Sequence, residues 1–230
     1  MSSDPTITPP PSDAAPTVPV EHPRLRFSGA RWFFTGLVRV SYRAWTRVAA
    51  HLFPEDSQAE RIAQALHIPL PDKLNMSWVT SNLAVGGRIR PEDIAAVARA
   101  GITHVIDTRS EHSDDVEALA KERIQLLYLP TRDTHPLSVE QMKQGAQWAQ
   151  QAMEQNGRVL IHCEHGVGRS VQLTCAVLIY EGMHAQDAML LVQQKRWQAA
   201  PNHKQIVYLR EFESALDTAR RASSKPSPSA

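Results

Sequence analysis

Cys163 and Arg169 stand six residues apart in the run Arg158-Val-Leu-Ile-His162-Cys163-Glu164-His165-Gly166-Val167-Gly168-Arg169-Ser170. The apolar residues before His162 read as a buried strand, the two glycines as a short loop, and Arg169-Ser170 as the start of a helix. A loop of this kind turns successive backbone N–H groups inward, and the helix N-terminus adds partial positive charge. The hollow they make suits a tetrahedral oxyanion such as phosphate. Glu164, His165, Gly166, Val167 and Gly168 would line it, the two glycines permitting the tight turn and close backbone approach.

Cys163 falls at the mouth of that hollow. Among amide dipoles, a helix N-terminus and a guanidinium, its thiol should lose its proton well below the free value of about 8.5 and become an attacking group at neutral pH. Arg169 can curl back over the same anion, its planar fork holding two oxygens as the transferring group flattens. Ser170 can donate a hydrogen bond to the sulfur and ease its departure when water cleaves a thiophosphate intermediate. A lone cysteine is more often a small buried hydrophobe. That description suits Cys175, inside the apolar stretch Val171 to Tyr180, and suits Cys163 badly.

His162-Cys163-Glu164-His165-Gly166-Val167-Gly168-Arg169-Ser170 resembles the signature loop of cysteine-dependent protein tyrosine phosphatases, in particular the dual-specificity branch. The resemblance extends over about residues 76 to 217, taking in Asn82-Leu-Ala-Val-Gly86, Gly101-Ile-Thr-His-Val-Ile-Asp107, Pro201-Asn202, Gln205, Leu209 and Phe212-Glu213. It implies an α/β fold and a phosphomonoesterase needing neither metal nor cofactor. It suggests that His162 shapes the loop and tunes the thiolate, although a structural histidine would look the same. It also implies a general acid on a loop some thirty residues before the cysteine, where Asp133 lies in Leu129-Pro-Thr-Arg-Asp-Thr-His-Pro136. Asp107 is the rival but ends a strand that is structural in the family; His135 is a weaker candidate, and Arg132 could touch substrate or the acid.

Glu164 and His165 occupy loop places where some inositide-directed relatives carry lysine. A glutamate at that rim disfavours polyphosphorylated headgroups, unless it turns out to solvent. The expected substrate is therefore phosphotyrosine and phosphoserine or phosphothreonine in proteins. The alternatives are a phosphoinositide or phosphatidylglycerol phosphate at a membrane surface, or a silent module that only binds phosphorylated partners.

The elements that must position these residues follow from the pattern. Short β pieces between Met76 and Ala84 end at Gly86-Gly87, and a helix opens at Pro91 and runs to Ala100. Strands are expected at 103–107, 124–129 and 158–162, and helices at 138–154, 169–182, 185–196 and 203–219. Such alternation argues for a central, mostly parallel sheet flanked by helices.

The 230 residues allow one catalytic-sized core with additional segments. Two cysteines make neither a disulfide framework nor a four-cysteine metal site, and a net charge of +1 argues against a nucleic-acid binder. Residues 1–23 hold seven of the sixteen prolines and read, like 220–230, as disordered tails. No spanning helix or secretory signal is expected, and the default setting is cytoplasmic. The segment 24–74 begins with a basic amphipathic helix: Arg39, Arg43 and Arg47 form one stripe, with Phe34, Leu37, Val38, Trp45, Val48 and Leu52 on another face. Between 24 and 54 this helix packs on the phosphatase-like domain, 75–219, makes a peripheral membrane contact, or serves organelle targeting or a protein partner.

Overall fold

The computed structural model describes residues 74–223 together with Ile62, Ala65 and Leu66. The basic stretch 24–54, the expected tail 1–23 and the end of the chain from 224 lie outside the described residues; of the expected tail 220–230, residues 220–223 instead continue the last helix, His203–Ser223.

Five strands form one sheet: β1 (Met76–Trp78), β2 (Leu83–Gly86), β3 (His104–Arg109), β4 (Gln125–Thr131) and β5 (Val159–His162). Their order is β1-β2-β5-β3-β4, with β1 antiparallel to β2 and the other pairings parallel. The strand leading to Cys163 is thus the central one, covered on both edges.

Period-two alternation sorts the side chains between two cores. Leu83, Val85, Ile106, Val159 and Ile161 face one side, where they meet α3 (Val139–Glu154), α4 (Arg169–Tyr180), α5 (Ala185–Lys195) and α6 (His203–Ser223). Ala84, Val105 and Leu160 face the other, against α1 (Ile94–Arg99) and α2 (Val116–Lys121). α4 is enclosed by α3, α5 and α6 and is buried at every position except Tyr180. The Leu173 side chain lies where a Cβ on Gly145 of α3 would meet it at 2.8 Å, so these two helices approach at a glycine.

α3 starts where Ser138 and Gln141 form a reciprocal capping box. The first turn of the expected helix at Pro91 is instead a 3-10 turn, Pro91–Asp93, leading into α1. α2 was not expected: it is six residues long, capped by Asp115, and buries only Leu119. β4 runs on to Thr131, which carries its end directly to the loop bearing Asp133.

Candidate active site

β5 delivers the chain to the carboxyl edge of the sheet, and α4 begins seven residues after His162. Between them the carbonyls of the loop are held outward. Glu164 O accepts from Arg88 N at 3.1 Å, and Val167 O from Ala200 N at 2.9 Å. Gly166 O accepts from Arg196 Nε at 2.6 Å. A trans peptide sets the following N–H opposite its carbonyl, so the amides of His165, Val167 and Gly168 turn inward. Gly166 has φ +66°, and a Cβ there would lie 2.7 Å from the Gly86 carbonyl. The cup therefore needs glycine at this position.

Arg196 is 1% exposed and also donates to Ser77 Oγ and Asn75 Oδ1, tying the cup to β1. Sequence reasoning passed over it because its partners are 30 to 121 residues away.

Cys163 lies at the floor of the cup, 3% exposed. Gly166 N–H donates to its Sγ at 3.2 Å, and Ser170 Oγ is 3.3 Å away. Burial pushes the thiol up. The Ser170 hydroxyl and amide, the Arg169 charge and the His165 amide outweigh it, so the thiol sits below its ordinary value. Cys175 is buried in α4, where burial alone pushes its thiol up.

Arg169 is 2% exposed and is gripped end-on by Glu111: Nη1 donates to Oε2 at 2.8 Å and Nη2 to Oε1 at 2.6 Å. Nη1 also donates to Thr131 O at 2.7 Å, and Asp133 Oδ1 lies 3.1 Å from Nη2. Its Nε is buried with no acceptor among the described residues. The Arg169 hydrogen bonds, working against partial burial, hold the Glu111 carboxyl at about 2. Glu111 was not singled out in the sequence. The available signal was an acid just beyond a buried strand, at the edge where open α/β sheets place their ligands.

Beneath the cup lies a buried polar cluster. Asp107 accepts from Arg109 Nε and Nη2, both at 3.0 Å, and from the Arg109 amide at 2.9 Å. Asp114 accepts from Arg109 Nη2 and lies 2.7 Å from His162 Nε2. Asp107, Asp114 and His162 have donor atoms within 4.8 Å of one another. The Arg109 guanidinium already bridges both carboxylates and supplies the positive charge, so the set fits an internal ion-pair network better than a metal. Asp107 is fully buried in it, away from the surface that a substrate enters.

Glu164 differs from the rim charge expected of it. Its carboxylate is drawn to Arg88 Nη1 at 3.4 Å and Arg109 Nη1 at 3.6 Å, so two cations offset its charge. The repulsion foreseen for polyphosphorylated groups is correspondingly weakened. Arg132 is exposed, and His135 is occupied by its own loop, Nδ1 lying 3.0 Å from the Asp133 carbonyl. Asp133 is the exposed acid that reaches the guanidinium, its side chain 57% exposed.

Residues 89–215 match the family model described as "Dual specificity phosphatase, catalytic domain". A dual specificity protein phosphatase 1B of Arabidopsis thaliana is 42% identical over 67 residues, 29% of this chain and 40% of that protein. The solved structure of Tk-PTP in its active form superposes with a TM-score of 0.58 at 26% identity, over 61% of this chain and 97% of that one. PTPMT1 in complex with PI(5)P shares the fold, with a TM-score of 0.60 at 19% identity over 64% and 99% of the two chains. The chain spans two fifths or less of the length of the first curated relatives it matches. It belongs to the dual specificity phosphatase family, within the cysteine-dependent protein tyrosine phosphatases.

Proposed function

We propose that this chain is a phosphatase acting on phosphotyrosine and phosphoserine or phosphothreonine in proteins, through a cysteinyl-phosphate intermediate. The observation that carries the reading is the meeting, around one loop, of a buried thiol lowered in pKa and a guanidinium whose Nε has no protein acceptor among the described residues.

Cys163 Sγ attacks phosphorus while the bond to the leaving oxygen breaks, and Asp133 gives that oxygen its proton. The inward amides and Arg169 stabilise charge on the equatorial oxygens. Ser170 steadies the sulfur as the leaving thiolate. Water then attacks phosphorus, Asp133 takes up its proton, the P–S bond breaks and inorganic phosphate departs. His162 acts through the loop, fixed by Asp114. Hydrolysis of an aryl phosphate that vanadate blocks and Cys163→Ser abolishes is the test. Full activity in that variant removes the mechanism, and no hydrolysis by the unaltered chain leaves only a phospho-binding module.

A phospholipid substrate stands as the second reading, favoured by the offset charge of Glu164. A panel of phosphopeptides, phosphoinositides and phosphatidylglycerol phosphate decides between the two. Among the described residues no helix is long and apolar enough to cross a membrane. The lipid reading therefore relies on peripheral contact through 24–54, tested by liposome co-sedimentation with and without that stretch. The proposed setting is cytoplasmic, where reducing conditions keep Cys163 a thiol.

A further inference from the structure

We propose that Asn202 and Gln205 are positioning residues, which clamp the acid-bearing loop between β4 and α3 over the cup before any substrate arrives. The proposal rests on the reading of Asp133 as the proton donor.

The loop is held in a costly shape. Thr134, directly after the acid, has φ +64°. A β-branched residue in the left-handed region persists only where its surroundings over-determine it. Local bonds close the turn: His135 N donates to Arg132 O at 3.0 Å and Thr134 Oγ1 to the Asp133 carbonyl at 2.6 Å. The Asp133 carboxylate adds an ion pair to Arg169, and the start of α6 pins the turn from outside. Asn202 Nδ2 donates to Thr134 O at 2.7 Å, and Gln205 Nε2 donates to His135 O at 3.1 Å. Two successive carbonyls after the acid are thus fixed from one helix end.

The other ends of the same two amides close a capping box: Gln205 N donates to Asn202 Oδ1 at 3.0 Å, and Asn202 N to Gln205 Oε1 at 2.9 Å. Neither amide can swing away without uncapping α6. Gln205 is 2% exposed, and its Oε1 would lie 3.0 Å from a Cβ on Gly168, so it also touches the signature loop. Gln172 of α4 completes the frame, accepting from Leu137 N at 2.9 Å and donating to Gln205 O at 3.2 Å. The acid loop and the helix that begins at Arg169 therefore share the buried amides of Gln172 and Gln205, with the exposed Asn202 beside them, which registers Asp133 against Arg169.

Asn202→Asp isolates the effect. Aspartate caps a helix as well as asparagine, so Gln205 N keeps its acceptor while Thr134 O loses its donor. In the full chain, kcat/KM, which reports the step that expels the alcohol, is compared for phenyl phosphate, whose leaving group needs a proton, and for a difluorinated umbelliferyl phosphate, whose leaving group does not. Asp133→Asn serves as the reference. The clamp predicts a loss of about two- to tenfold on phenyl phosphate, the range of one hydrogen bond, and little change on the fluorinated ester or in inhibition by inorganic phosphate. Thr134→Gly in the same background should restore much of the loss, because glycine adopts positive φ freely. Asn202→Ser, which keeps a cap oxygen and is too short to reach the Thr134 carbonyl, should discriminate in the same way, and it replaces Asn202→Asp if that variant does not fold. Equal losses on both esters, or no loss where Asp133→Asn discriminates, overturn the clamp. If Asp133→Asn itself fails to discriminate, the acid assignment falls and takes the clamp with it.

Discussion

Glu111 meets Arg169 end-on, with both carboxylate oxygens on both terminal nitrogens at 2.6 and 2.8 Å. The pairing fixes the plane of the guanidinium and leaves Nε as the donor with no acceptor among the described residues. A bidentate carboxylate adds geometric definition as well as energy, so Glu111 sets where the anion's partner stands.

Glu111→Gln keeps the shape and removes the charge. Steady-state kinetics on an aryl phosphate should show kcat/KM reduced by about tenfold or more, since charge-assisted pairs are roughly twice as strong as neutral ones. An unchanged kcat/KM would mean that the loop amides alone hold Arg169 in place.

The same pair carries a pH signature. The Glu111 carboxyl lies at about 2 in the folded chain against an ordinary 4.5. Its contribution to stability is therefore complete above about pH 4.5 and fades as pH falls toward 2. Urea midpoints of the unaltered chain and Glu111→Gln should be separated at neutral pH and converge through that acid window. A gap that holds constant down to the bottom of the window contradicts the assignment.

Cys163, Gly166, Gly168, Arg169 and Ser170 were legible because the cup is one contiguous strand–loop–helix, and local geometry is written locally. Asp133 was reached only through the family resemblance, which pointed to a loop acid, not through any pattern of its own. Glu111, Asp114 and Arg196 were missed because they meet their partners across 58, 48 and 30 residues of chain. Nothing in the spacing of a single sequence records such pairings. The sheet and the long helices followed from periodicity, whereas α2 escaped notice because one buried leucine in six residues makes no periodic signal.

Ser170→Ala removes the hydroxyl that holds the Cys163 thiol down against burial. Rates of iodoacetamide alkylation measured against pH should show the thiol titrating at higher pH in the variant. Turnover should fall as well, because the leaving sulfur loses its donor. Coincident titration curves would remove Ser170 from the account.

Asp133→Asn should slow turnover by the hundred- to ten-thousand-fold typical of lost acid catalysis. If pH–rate profiles of the variant and the unaltered chain superimpose, the proton comes from elsewhere.

Arg196→Met strands the Gly166 carbonyl and unties the cup from β1. Losing hydrogen bonds from a charged donor to buried neutral acceptors costs about 1.5–3 kcal/mol, which urea unfolding would register as a drop in midpoint. Phosphate affinity should weaken with it. Unaltered stability would show that Ala200 and Arg88 suffice to hold the loop.

The central claim is that the phosphoryl group passes through Cys163. Rapid alkaline quench of the Asp133→Ala variant mixed with substrate, followed by peptide mass spectrometry at neutral or alkaline pH, tests it directly. The account predicts one phosphoryl group on the sulfur of Cys163, formed at a rate matching release of the first alcohol. Turnover with that peptide unmodified, or the phosphoryl group on His162 or His165 instead, would contradict it.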